Sequence, residues 1–336
     1  MKLYAILLAV LLPAVAAGPA AAAQSGVVLL YHRFGESKYP ATSVSLAEFE
    51  AEIAELKSGG YAPMAVPDMI EALKAGREVP ELAIGVTADD AYRSIFTEAW
   101  PRLKAAGIPL TLFVATDAID KGFADYMTWD QIRQLAKEGV TIGAHTGSHL
   151  HMVDASLATD AEEIARSNAR FKTELGFVPK LFAYTYGQAS LAIIKEVKDA
   201  GYAFAFGQHS GAIGPQSDFF YLPRFSVNEH FGSIAEFRLR ARALAFPVRD
   251  LEPADPRLSE SPETISFTAD AGAGPLSRLS CFGAGGDPIP PIVAGRRVTL
   301  TLGHPIQPGY FRLGCTVPAA DGRFRWFGTA YYLPKK

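Results

Sequence analysis

Short apolar runs alternate with amphipathic stretches along the first two thirds of the chain. The apolar runs predict strands of a sheet that is buried on both faces, and they cover residues 27–31, 82–87, 110–115, 140–144, 181–184 and 203–206. Helical spacing predicts helices between them, two of which begin with capping boxes at Ser45 and Thr128. Further helices are expected over residues 92–106, 157–175, 191–200 and 234–244. The alternation favours an α/β fold, as either a barrel or an open sheet.

The pattern changes near residue 246. Prolines then follow in quick succession and indicate an irregular join, at Pro247, Pro253, Pro256 and Pro262. Beyond the join, alternating or aromatic-rich segments without a helical period cover residues 264–269, 296–302, 310–317 and 324–333. We therefore expect an α/β domain over residues 24–250 and a small, sandwich-like antiparallel β domain over residues 251–336.

The first 23 residues have the pattern of a secretory signal peptide. Lys2 precedes an apolar stretch at residues 3–12, and the alanines at 21–23 fit a small-residue cleavage site. A membrane span needs about 20 apolar residues, and here Pro13 and Gly18 interrupt the run. We expect cleavage and export to the periplasm or the medium, with no transmembrane segment in the mature chain.

The amino-acid composition argues against a nucleic-acid partner and predicts the oxidation state of the two cysteines. Hydrophobic residues make up 49% of the chain, which excludes a disordered protein. The 32 Lys and Arg against 35 Asp and Glu lack the basic excess of nucleic-acid binders, so we expect no nucleic-acid partner. In an exported protein, Cys281 and Cys315 predict one disulfide, with two free buried thiols as the alternative.

Two groups of polar residues directly follow predicted strands. Thr87-Ala88-Asp89-Asp90 ends one strand, and His145-Thr146-Gly147-Ser148-His149 follows another. The carboxyl ends of parallel strands meet at one edge of a sheet or barrel, so these side chains are expected to lie together. Two imidazoles and one carboxylate are a common ligand set for a catalytic Zn²⁺, and the second carboxylate is then free to act as a base.

Over residues 27–230 the chain resembles the NodB-homology polysaccharide deacetylases, a family of carbohydrate esterases. The family motif Thr-Phe-Asp-Asp-Gly corresponds to Thr87-Ala88-Asp89-Asp90-Ala91, and His-Ser/Thr-x-x-His corresponds to residues 145–149. A third motif corresponds to Phe182-Ala183-Tyr184-Thr185-Tyr186-Gly187, and the opening Tyr31-His32 is also shared. The resemblance implies a distorted (β/α)7-type barrel ahead of the β domain.

The resemblance also implies roles for individual residues. Asp90, His145 and His149 are the expected metal ligands, and Asp89 is the expected general base. The backbone N–H of Tyr186 is expected to stabilise the oxyanion. His32, Tyr184 and Tyr186 are expected to contact the substrate. Zn²⁺ is the first choice of metal, although His₂Asp sites also accept Co²⁺, Ni²⁺ or Fe²⁺.

The sequence also departs from the family pattern. The late Leu-x-His that often supplies the general acid is missing, so His230 and His32 are the substitutes considered. Ala183 stands where the family often has an arginine beside the base. Arg224 is a candidate for that role by pairing with Asp89, and a purely structural ion pair is the alternative. Ala88, Ala91 and Thr185 replace an aromatic residue, a glycine and a proline.

Three functions follow from this reasoning. The first is an exported, metal-dependent N-deacetylase that acts on an acetylated glycan, with exopolysaccharide machinery as a candidate partner. The second is an O-acetyl carbohydrate esterase that uses the same site. The third is a glycan-binding protein with a weakened site, suggested by the motif substitutions. The sequence leaves the polymer and the oligomeric state open.

Overall fold

The structure is a computed structural model that describes residues 22–230 and 232–335. Apart from Ala22 and Ala23, the predicted signal peptide lies outside these residues. In the described part of the chain, no helix combines the length and the apolar composition needed to span a bilayer.

The first part of the chain alternates strands with helices. Strands β1–β12 are Ala22–Ala23, Gly26–Tyr31, Arg33–Phe34, Ser43–Val44, Ala62–Pro63, Val79–Pro80, Ala83–Ala88, Leu110–Val114, Thr141–Ala144, Leu181–Ala183, Phe204–Phe206 and Phe225–Ser226. Helices α1–α8 are Leu46–Ser58, Val66–Lys74, Trp100–Ala106, Thr116–Asp120, Trp129–Lys137, Leu157–Leu175, Leu191–Asp199 and Ile234–Ala241. The capping boxes at Ser45 and Thr128 are present, and Gly107 and Gly176 close α3 and α6 in the left-handed conformation.

The main sheet is parallel and curves into a barrel. Its strand order is β11-β10-β9-β8-β7-β2-β12, and β5 pairs with β7. The segment around β12 pairs with strands at both edges of the sheet and so closes it. Leu222 forms a β-bridge with Phe206 in β11, and Phe225 pairs with Leu29 in β2. This confirms a distorted (β/α) barrel and excludes the open sheet that periodicity alone allowed.

A β sandwich follows the barrel. Strands β13–β20 are Leu244–Ala245, Val248–Glu252, Thr264–Ala269, Ser280–Phe282, Pro291–Ala294, Arg297–Thr301, Gly309–Pro318 and Phe324–Leu333. They form two four-stranded sheets, in the orders β13-β20-β19-β16 and β14-β15-β18-β17. Both sheets contribute to one core, for example Phe267 and Leu300 from one and Leu313 and Tyr331 from the other. The small all-β domain is therefore confirmed.

The disulfide prediction is confirmed as well. Cys281 and Cys315 are bonded, and they face each other in register on the antiparallel strands β16 and β19. The alternative of two free thiols is excluded.

Two local expectations were wrong around residue 246. Helix α8 ends at Ala241 rather than at residue 244, because Leu244 and Ala245 pair with β20 of the sandwich. The expected irregular join contains β14, which pairs with β15 in spite of the nearby prolines. Backbone pairing with distant strands outweighs the local proline signal here. The domain limits given above stay a prediction.

Candidate metal centre and active site

Asp90, His145 and His149 converge at the carboxyl ends of β7 and β9. Asp90 Oδ1 lies 3.5 Å from His145 Nε2 and 3.3 Å from His149 Nε2. One potential ligand atom from each residue lies within 4.8 Å of the other two. The structure thus brings together the three side chains that were expected to bind a metal.

The side chains at this position fit a divalent metal ion. Asp90 Oδ1 and His145 Nε2 are buried and have no hydrogen-bond partner among the described residues. Leaving buried polar atoms unpaired is unfavourable, and a cation would satisfy both. His145 Nδ1 lies 2.7 Å from the carbonyl oxygen of Ala183. A carbonyl only accepts, so Nδ1 carries the proton and Nε2 keeps the lone pair that a metal needs.

Burial and neighbouring charges set the protonation states of these groups. Burial lowers the pKa of His145 to about 4, so this imidazole is neutral at pH 7. Burial raises the pKa of Asp90, but the interactions with His149 and the other nearby histidines outweigh it and hold the pKa well below its usual range. Burial lowers the pKa of His149, and Asp90 raises it by a larger amount. Asp90 is therefore ionised and ready to ligate.

Asp89 forms a bidentate ion pair with Arg224 in the barrel interior. The two nitrogen–oxygen distances are 2.7 and 2.8 Å, and both side chains are completely buried. Arg224 lies in the segment that reaches both ends of the sheet, and its Nε donates to the Gly207 carbonyl. Burial raises the pKa of Asp89, but the charge of Arg224 outweighs it and lowers the pKa. The pairing considered from the sequence is present, and the tuning role of Arg224 stays a prediction.

Five residues around the candidate metal site have a strained backbone conformation. Asp90, Ala91, Thr146, His149 and Tyr186 all have φ between 58° and 73°, although none is a glycine. Such residues are uncommon, and they concentrate at functional sites where the surrounding structure holds them. The sequence carried no signal for this strain, apart from the glycine that the family motif has at position 91.

Helix α6 holds the loop that carries the histidines. Glu163 accepts hydrogen bonds from the backbone N–H of Gly147 at 3.1 Å and of Ser148 at 2.7 Å, and from the Ser148 hydroxyl at 3.0 Å. Arg166 pairs with both Glu163 and Asp117. The sequence did not predict these hydrogen bonds, because nothing in the local pattern of an amphipathic helix distinguishes Glu163 from an exposed glutamate.

A large cavity is lined by two of the three candidate ligands, Asp90 and His149. This rim cavity has a volume of about 1130 Å³ and is lined by residues that include His32, Asp90, Tyr126, His149 and Tyr186 from the barrel and Phe282, Arg312 and Trp326 from the β domain. Tyr186 packs its edge against His149, with ring centroids 4.5 Å apart, and stacks on His151 at 3.5 Å. His32 and Tyr186 therefore lie where a substrate would reach them.

Two of the residues that were expected to meet the substrate do not line the rim cavity. Tyr184 is completely buried, and its hydroxyl donates to the Phe220 carbonyl. The expectation that it contacts substrate needs correction, because its ring is part of the core. His230 is exposed, and its backbone N–H donates to the Asn228 side chain. It is not among the residues that line the cavity.

The known proteins that this chain is similar to are polysaccharide deacetylases, which agrees with the geometry of the site. A family model described as polysaccharide deacetylase matches residues 76–205. The putative polysaccharide deacetylase YxkH of Bacillus subtilis (strain 168) is 24% identical over 201 residues, which are 60% of this chain and 71% of that protein. The poly-β-1,6-N-acetyl-D-glucosamine N-deacetylase of Escherichia coli (strain K12) is 24% identical over 238 residues. That match covers 58% of this chain but only 35% of the E. coli protein.

A solved structure extends the similarity to the fold. IcaB from Ammonifex degensii superposes with a TM-score of 0.58 at 25% identity. The superposition covers 66% of this chain and 98% of that one. The three motifs, the barrel and these relatives agree in likening residues 76–205 to the polysaccharide deacetylases, the family whose model matches that segment.

Proposed function

We propose that the protein is a metal-dependent polysaccharide N-deacetylase, which hydrolyses N-acetyl groups of amino sugars to acetate and a free amine. The observation that carries the proposal is the convergence of Asp90, His145 and His149 beside the buried, ionised Asp89. The relatives named above as polysaccharide and poly-N-acetylglucosamine deacetylases support the same chemistry.

In this proposal each residue has a distinct task. Asp90, His145 and His149 hold a divalent metal, which when bound polarises the acetyl carbonyl and lowers the pKa of water. Asp89 accepts the proton of the attacking water, and Arg224 fixes the orientation of that carboxylate. The backbone N–H of Tyr186 donates to the oxygen that becomes negative. The carbon–nitrogen bond then breaks, and the amine nitrogen gains a proton.

We propose His32 rather than His230 as the donor of that proton. His32 lines the rim cavity together with the candidate metal ligands Asp90 and His149. His230 lies on the surface outside the cavity. A general acid must come within hydrogen-bond reach of the leaving group, so position favours His32.

The proposal extends to the metal and to the place of action. Zn²⁺ is the first choice for a His₂Asp site, and Co²⁺, Ni²⁺ or Fe²⁺ would also fit. The disulfide supports an oxidising compartment outside the cytosol, which agrees with cleavage of residues 1–23 as a signal peptide. We propose that the protein acts there on an exopolysaccharide, together with the machinery that makes it.

An O-acetyl esterase is the second candidate. An ester releases an alcohol that needs less protonation than an amine, so this reaction depends less on a general acid. The absence from the barrel of the late Leu-x-His motif that often supplies the acid favours it to that extent. A glycan-binding protein with a weakened site is disfavoured, because all three candidate ligands are in place.

The test is acetate release by the metal-loaded protein from N-acetylglucosamine oligosaccharides and from acetylated xylan. We expect N-acetyl substrates to be preferred, and Asp89→Asn to lower the rate by about 10²–10⁴-fold, as for loss of a general base. His32→Gln should lower the rate on N-acetyl substrates more than His230→Gln does. Asp130→Asn, an exposed aspartate on α5, is the control. A folded Asp89→Asn protein that keeps the full rate would contradict the proposal.

A further inference from the structure

The β domain forms one wall of the rim cavity. Phe282, Arg312 and Trp326 line it together with barrel residues that include Asp90 and His149. These three residues lie outside residues 76–205, the segment that the polysaccharide deacetylase model matches. The wall is therefore an addition to the part of the chain that carries the proposed chemistry.

This wall is firmly attached to the barrel. The Ala212 N–H donates to the Trp326 carbonyl at 3.2 Å, and the Tyr310 hydroxyl donates to the Gly187 carbonyl at 3.1 Å. A side chain on Gly328 would meet the Ser210 carbonyl oxygen at 1.8 Å, so the two backbones are in direct contact. The position of the wall relative to the metal ligands is thus fixed by the fold.

Trp326 and Phe282 give the wall an aromatic surface. Their rings pack edge to face with centroids 5.9 Å apart, and Trp326 packs in the same way against Phe225 at 5.1 Å. Both side chains are only partly buried. Rigid aromatic surface next to polar groups is suited to a ligand that has apolar C–H faces and hydroxyl edges, such as a sugar ring.

Arg312 supplies the polar part of the wall. Its guanidinium carbon lies 4.4 Å from the centroid of the Tyr310 ring, and its Nε donates to the Gln208 carbonyl at 3.4 Å. These contacts orient the planar group, and no carboxylate in the described part of the chain lies within 4.0 Å of it. Arg312 is exposed, so its remaining N–H groups are available to hydroxyl and acetamide oxygens of a ligand.

The size of the cavity argues for an extended ligand. Sites for drug-sized molecules span roughly 300–1,000 Å³, and the rim cavity measures about 1130 Å³. Asp90 and His149 from the barrel and the wall residues from the β domain line the same cavity. A cavity of this size holds more than a single sugar ring.

We propose that Arg312 and Trp326 bind the sugar units next to the one that loses its acetyl group, so that the β domain makes the enzyme select polymers over single sugars. This inference rests on the proposed deacetylase function. Both residues determine specificity and take no part in the chemistry at the acetyl carbon.

The experiment compares β-1,6- and β-1,4-linked N-acetylglucosamine tetrasaccharides with 4-nitrophenyl acetate, which reaches only the metal ligands. We expect Arg312→Ala and Trp326→Phe each to raise KM for the better tetrasaccharide about fivefold. The rate on 4-nitrophenyl acetate should not change. Calorimetric titration of metal-free protein with the same tetrasaccharide should show the same loss of affinity.

Arg278→Ala is the matched control, because Arg278 is exposed in the same domain and does not line the rim cavity. Trp326→Phe keeps an aromatic ring against Phe225, which preserves the packing. If wild-type protein deacetylates a tetrasaccharide and both variants match it in KM and affinity, the inference is wrong and the proposed function stands. If wild-type protein releases acetate from none of the three compounds, the proposed function fails and the inference fails with it.

Discussion

Asp89 and Asp90 are neighbours in the chain but have different partners. Asp89 faces the guanidinium of Arg224 inside the barrel, and Asp90 faces the imidazoles of His145 and His149. The left-handed backbone at Asp90, with φ of 73°, accompanies this separation. Two adjacent buried carboxylates are tolerated because each meets its own positive or metal-binding group.

A third buried aspartate lacks any such partner. Asp160 on α6 is completely buried, and neither of its carboxylate oxygens has a hydrogen-bond partner in the described part of the chain. Burial, together with the charges of Glu196 and Glu163, raises its pKa to about 7. Between about pH 4 and pH 7, the folded protein therefore keeps a proton that the unfolded chain has released.

The contribution of Asp160 to the free energy of unfolding therefore falls as the pH rises from about 4 to about 7. Asp160→Asn removes the charge, so we expect the variant to be more stable than wild type by about 1–3 kcal/mol above pH 7. The advantage should disappear towards pH 4. Urea unfolding at four pH values measures it, with Asp130→Asn as the exposed control. A difference that does not depend on pH would contradict the assignment.

At the level of elements, α6 connects the outer layer of the barrel to the metal-binding loop. Its N-cap Ser156 accepts from the Thr159 N–H, and Gly176 closes the 19-residue helix. Glu163 and Arg166 lie on one face of the helix, three residues apart, and both contact the structure around the loop. The loop between His145 and His149 is therefore positioned by a helix that supplies no ligand.

We expect Glu163→Ala to raise the dissociation constant for Zn²⁺ by about 10–100-fold, as is typical when a group that supports metal ligands is removed. The reason is that two backbone N–H groups of the loop lose their acceptor. Competition with a chromophoric chelator measures the affinity. Glu162→Ala, an exposed neighbour on the same helix, should leave it unchanged. Wild-type affinity in a folded Glu163→Ala protein would show that the loop holds its shape unaided.

At the scale of the whole molecule, the two domains share a cavity and are joined by paired strands. Strand β13 pairs with β20 directly after the last helix of the barrel, and the Tyr332 hydroxyl donates to Asp154 in the barrel at 2.7 Å. The Arg257 Nε donates to the Val153 carbonyl nearby. Through these contacts the sandwich supports the barrel near the candidate site. We therefore expect the stability of the sandwich to affect the stability of the whole chain.

The disulfide is expected to supply much of the stability of the sandwich. Cys281 and Cys315 are 34 positions apart, and a loop of this length gives roughly 3–4 kcal/mol in the chain-entropy account. The double change Cys281→Ser with Cys315→Ser should lower the free energy of unfolding by about that amount. Chemical unfolding of oxidised, reduced and double-serine protein measures it. Equal stability of the three forms would refute the expectation.

Local patterns predicted most of the elements and the candidate ligands. The apolar runs and the helix caps depend on neighbouring residues, so β7 and β9 were expected close to their observed bounds, and α1 and α5 at their observed starts. Asp90, His145 and His149 were identified because they follow buried strands, and parallel strands end at one rim. The disulfide was predicted from the number of cysteines and the expected export.

Contacts between distant residues are set by the folded chain and leave no local pattern. Arg224 meets Asp89 across 135 positions, because the segment around β12 brings it inside the barrel. Packing between distant segments also buried Tyr184 and paired residues 244–245 with β20 instead of extending α8. It placed Arg312 and Trp326 in the cavity that Asp90 and His149 line. Periodicity and caps reflect interactions over a few residues, whereas the walls of a cavity depend on how whole elements pack.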